Sequence, residues 1–113
     1  MIDFETIARS NHRGGMNCSM SVYDALCMGD ASNKTEAPRP RSEGGKCGAV
    51  LAAEQYIREH GGTAEDIEEF EKKFTSKYSY LTCADLRGKA TGQCNDYVGA
   101  AASIVGSMGI IPN

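Results

Sequence analysis

Residues 63–81, Thr63-Ala64-Glu65-Asp66-Ile67-Glu68-Glu69-Phe70-Glu71-Lys72-Lys73-Phe74-Thr75-Ser76-Lys77-Tyr78-Ser79-Tyr80-Leu81, decide the fold class. Thr63 followed three residues on by Asp66 is a capping-box-like start. The apolar residues Ile67, Phe70, Phe74, Tyr78 and Leu81 recur at three- and four-residue spacing, which places them on one face of a helix. Acids crowd the first turn and Lys72, Lys73 and Lys77 the later ones, matching the helix dipole.

Outward from this segment the same period repeats, and strand-like alternation is hard to find. A helix from about Cys47 to His60 carries Cys47, Val50, Leu51 and Ile57 on one face, and Gly61-Gly62 ends it. Its first two turns are small, with Gly48, Ala49, Ala52 and Ala53. Thr82-Cys83-Ala84-Asp85 opens a short helix that closes at Gly88, and another starts near Cys94 with Tyr97, Val98, Ala101, Ile104, Val105 and Met108. Towards the N-terminus, Asn17 caps a helix bearing Cys18, Val22 and Leu26 on one face and stopping at Gly29. A short first helix runs through Phe4, Ile7 and Ala8 and ends near Ser10-Asn11. Residues 29–45, with two prolines and no large apolar residue, read as a loop. The expected architecture is an all-α bundle of five to six helices, one compact domain over residues 1–113.

Composition narrows the function. Twelve Lys and Arg against fifteen Asp and Glu give a net charge of -3 with the basic residues scattered, so no nucleic-acid footprint is present. No run approaches the ~20 apolar residues of a membrane span, and the acidic start Met1-Ile2-Asp3-Phe4-Glu5 lacks the pattern of a secretory signal. The expectation is a soluble cytoplasmic protein without membrane insertion. There is no serine nucleophile motif, P-loop or dinucleotide fingerprint. The segment from Ile104 to Ile111 is expected to bury in the bundle or to meet a second copy in a homo-oligomer.

The informative residues are cysteines. Cys18, Cys47, Cys83 and Cys94 each stand where a helix is expected to begin, and a helix N-terminus favours the thiolate through its unpaired N–H groups and dipole. Cys27 differs. It follows Cys18 by nine residues, ~13 Å along the axis and almost the opposite face, and reads as a buried small hydrophobe. His60 falls at a helix end and His12 in a linker, and neither has a motif partner that would make it a ligand. In a cytoplasmic chain several cysteines point to metal or redox chemistry. The spacing contains no C-x-x-C, C-x-x-C-H or ferredoxin-type run. If the thiols converge, they do so from four separate segments, which suits an iron–sulfur cluster, zinc, or two disulfides.

In this order the cysteines resemble the redox-active protein family defined by four cysteines and a C-G-A-x-x-G motif, related to a domain of split-Soret cytochromes. The resemblance lies in Asn17-Cys18-Ser19, Gly45-Lys46-Cys47-Gly48-Ala49-Val50, the stretch from Phe74 to Tyr80 leading into Cys83-Ala84-Asp85-Leu86, and Cys94 with the helix after it. It covers roughly residues 14–106. It implies that Cys18, Cys47, Cys83 and Cys94 are the functional set and Cys27 is outside it. Ala52 stands where the motif ends in glycine, and without C-x-x-C-H the cytochrome function of the relatives does not carry over.

The leading expectation is therefore a redox protein whose four thiols bind an iron–sulfur cluster and exchange electrons with a partner protein, with Gly48, Ala49 and Ala52 making room beside the backbone. The alternatives are a metal-free thiol–disulfide protein and an interaction domain held together by zinc.

Overall fold

The computed structural model describes residues 3–27, 39, 44–89 and 92–108. In chain order the helices are α1 (Phe4–Arg13), α2 (Cys18–Leu26), α3 (Gly48–Glu59), α4 (Ala64–Tyr78), α5 (Cys83–Lys89) and α6 (Cys94–Ser107). The expected all-α bundle is what forms, and among the described residues there is no strand. None of the helices is long and apolar enough to cross a membrane. The expected 29–45 loop and the stop at Gly29 lie outside the described residues, apart from Arg39, Gly44 and Gly45, as does the tail beyond Met108.

α4 starts as its sequence dictates. Thr63 Oγ1 accepts from the Asp66 N–H at 3.3 Å, and the Asp66 carboxylate accepts from the Thr63 N–H at 2.8 Å, so two otherwise orphaned donors are satisfied reciprocally. Phe70 and Phe74 are fully buried, while Ile67, Tyr78 and Leu81 close the edges of the core. The helix ends at Ser79, whose φ of 71° turns the chain.

α6 is the central helix, packing on α1, α2, α3 and α4. Its run of small residues explains how. A side chain at Gly106 would meet the Phe4 ring at 2.9 Å and one at Gly99 would meet the Arg9 guanidinium at 2.3 Å, so α1 crosses α6 over these two glycines. Arg9 is then held by Glu5 at 3.0 Å, Asp96 at 3.0 Å and the Asn95 carbonyl at 3.1 Å.

α1 is longer than its sequence suggested. It continues past Ser10-Asn11 to Arg13, because Asn95 of α6 reaches the Arg9 carbonyl and the His12 ring and supports the last turn, which Gly14-Gly15 then ends. His12 is therefore a helical residue rather than part of a linker.

Val22 and Leu26 of α2 and the small residues Ala49, Ala52 and Ala53 of α3 are all fully buried. The Ala52 methyl group is thus accommodated inside the core.

Candidate functional site

Asn17 accepts from the Met20 N–H at 2.8 Å and makes Cys18 the first residue of α2. Cys47 is the N-cap of α3, and Cys83 and Cys94 open α5 and α6. All four expected cysteines thus stand at helix starts, and all four line one cavity of about 270 Å³. Gly48 lines it as well. Cys27 does not: it is buried in the core at the end of α2.

Two local devices bring three of the four segments together. The first is an isolated antiparallel bridge between Lys46 and Thr82. The Cys47 N–H donates to the Leu81 carbonyl at 2.9 Å and the Cys83 N–H to the Gly45 carbonyl at 2.9 Å, which sets the starts of α3 and α5 side by side. The second is Tyr97. Its hydroxyl lies 3.0 Å from the Leu86 carbonyl and 2.7 Å from that of Gly92, tying α5 and the turn before Cys94 to α6. Tyr97 in turn is held edge-on against Tyr78, with ring centroids 4.9 Å apart.

The thiols are not equivalent. The Cys47 thiol donates a hydrogen bond to the Cys18 sulfur, and this bond brings the Cys18 thiol down to about 6 against the opposing effect of burial. The N–H groups of Gly48, Ser19 and Ala49 add to the effect, those of Gly48 and Ala49 being unpaired donors at the start of α3. Cys47 is pushed up, first by that same hydrogen bond, then by burial and by the Cys18 charge. One proton therefore serves the pair: Cys18 holds the thiolate and Cys47 the thiol.

Arg87, His12 and Asn17 join the thiols in the polar lining, with no carboxylate among them. The neighbouring sulfurs, Cys94 first, favour the ionised form of the Arg87 guanidinium. Asn95 Nδ2, a donor only, lies 3.3 Å from His12 Nδ1, while Asn95 Oδ1 accepts from Arg9. His12 Nδ1 is thus an acceptor, and the proton of the neutral ring sits on Nε2. His60 is elsewhere, stacked on Tyr56 with ring centroids 4.0 Å apart.

The donor set is soft, as iron–sulfur, zinc and copper(I) sites require. Among the described residues, however, no three His, Cys, Asp or Glu side chains are grouped so as to hold one metal ion. A tetrahedral zinc needs every sulfur about 2.3 Å from a single point, so this spacing does not fit zinc. A cluster distributes its thiolates over more than one iron, and the four thiols here line one cavity from four segments.

His12, Arg87 and Tyr97 were not picked out from the sequence as site residues. Arg87 follows Cys83 by four residues and Tyr97 follows Cys94 by three, spacings that share a helix face and carried that signal. No protein-family model matches the chain, and neither does a curated protein or a solved structure.

Proposed function

We propose that this chain is a cytoplasmic redox protein whose Cys18, Cys47, Cys83 and Cys94 hold an iron–sulfur cluster and that it exchanges electrons with a partner protein. The observation that carries the reading is the meeting of four helix-start thiols, from four separate segments, on one cavity. The shared order of cysteines with the four-cysteine redox family supports it. When bound, the cluster supplies one-electron chemistry.

The chain's own contribution is preorganisation. Cys18 is already ionised near neutral pH and needs no base to become a ligand. The Lys46–Thr82 bridge and the Tyr97 hydroxyl fix the segments that carry Cys47, Cys83 and Cys94. Leu86 and Tyr97 give the cavity part of its apolar lining.

A second reading rests on a different observation, the hydrogen bond between Cys47 and Cys18. A thiolate beside a thiol is the starting arrangement for a dithiol that closes to a disulfide: two electrons and the one remaining proton pass to an external disulfide, which leaves as one thiol and one thiolate. The two readings separate on anaerobic reconstitution with iron and sulfide. The cluster reading expects bound iron, acid-labile sulfide and visible charge-transfer absorption. Colourless, iron-free protein in which Cys18 and Cys47 pair reversibly would transfer the function to disulfide exchange.

A further inference from the structure

Arg87 is an exposed residue of α5 that lines the cysteine cavity together with Cys94. Among the described residues it has no carboxylate partner. Arg9 offers the contrast, since its guanidinium is engaged by Glu5, Asn95 and Asp96 and serves to dock α1 on α6. The packing of the bundle does not require Arg87. What its position does supply is a permanent positive charge beside sulfurs, in a chain whose net charge is -3 and in a cavity whose lining includes no acid.

We propose that Arg87 is a positioning residue that sets the reduction potential of the four-cysteine centre, through the positive charge it places on the cavity that the four thiols line. The inference rests on the cluster reading above. Reduction adds one electron and hence one negative charge to a group ligated by thiolates. A cation lining the cavity of the ligand sulfurs stabilises that added charge and raises the potential. Because Arg87 is exposed, solvent and salt weaken the effect.

The test uses the full chain, reconstituted anaerobically, as wild type, Arg87→Gln and Arg87→Lys. Potentiometric titration of the visible spectrum should place Arg87→Gln lower, by up to a tenfold change in the oxidised-to-reduced ratio at fixed poise, or about 59 mV for one electron. Arg87→Lys, which keeps the charge and loses the planar fork, should recover part of the shift. The difference should shrink at high salt.

Iron-loaded wild type and Arg87→Gln with equal potentials would overturn the role of Arg87 and leave the cluster reading standing. Wild type that takes up no iron would overturn the cluster reading and this inference with it. If Arg87→Gln lowers the potential and Arg87→Lys recovers none of it, the charge contribution is wrong.

Discussion

The Cys83 N–H donates to the Gly45 carbonyl at 2.9 Å, and this bond, with its counterpart from Cys47 to Leu81, joins two thiol-bearing helix starts that are distant in sequence. Gly45 can serve because it adopts a φ of 73°, a conformation that costs a residue with a Cβ about 1–2 kcal/mol. A methyl group there would meet no neighbouring atom, so the cost is conformational. Gly45→Ala should therefore lower unfolding free energy by about 1 kcal/mol, measured by urea denaturation. An unchanged midpoint would mean that the bridge does not depend on this glycine.

Tyr97 makes the corresponding tie between α5 and α6. Tyr97→Phe keeps the ring against Tyr78 and Phe74 but removes the hydroxyl from the Leu86 and Gly92 carbonyls. A loss of about 1–2 kcal/mol is expected, together with faster amide hydrogen exchange in α5. Wild-type exchange in α5 would show that the hydroxyl is not what holds it.

The proton shared by Cys18 and Cys47 gives a signature in metal-free reduced protein. The rate of iodoacetamide modification at Cys18, followed by mass spectrometry, should rise with pH through a midpoint of about 6. Cys47→Ala removes the largest cause of the shift, so the midpoint should move up towards the ordinary thiol value of 9.0. A midpoint unaffected by that substitution would assign the acidity to the helix terminus instead.

Glu54 is only 2% exposed and is bound to Lys46 at 3.2 Å, while Lys46 also reaches Glu71 at 3.1 Å. Burial, and then a hydrogen bond to Glu71, push Glu54 up to about 7 from 4.5. Glu71 is lowered by accepting that bond. The folded state thus binds the Glu54 proton more tightly than the unfolded state does. The resulting stability is fully present below about pH 4.5 and is lost as pH rises through about 7. The Glu71 contribution runs the other way, lost as pH falls below its ordinary range. Urea unfolding of wild type and Glu54→Gln between pH 4.5 and 7.5 should show a difference that declines with pH. A constant difference would mean that Glu54 does not titrate in this window.

Local signals made much of this legible in the sequence. Thr63 with Asp66, Thr82 with Asp85 and Asn17 before Cys18 mark helix starts by short-range hydrogen bonding, and the stripe through Phe70 and Phe74 marks the buried face. The four site cysteines and the separate status of Cys27 follow from the same local logic. Their meeting on one cavity depends on relationships the period of a helix does not encode. These are the bridge between Lys46 and Thr82, the seating of Phe4 and Arg9 on glycines of α6, and the reach of Tyr97 to Leu86. His12 was misread because the support for the last turn of α1 comes from Asn95, far away in the chain. Arg87 looked like one more basic residue at a helix end until its position beside Cys94 was known.

The proposed redox centre is built from four thiols and excludes the fifth. Its most direct test is iron and sulfide content after anaerobic reconstitution of wild type and of the five single cysteine-to-alanine variants. The account predicts iron and sulfide in wild type and in Cys27→Ala, and marked loss in each of Cys18→Ala, Cys47→Ala, Cys83→Ala and Cys94→Ala. Iron-free wild type, or full loading in any of those four variants, would contradict it.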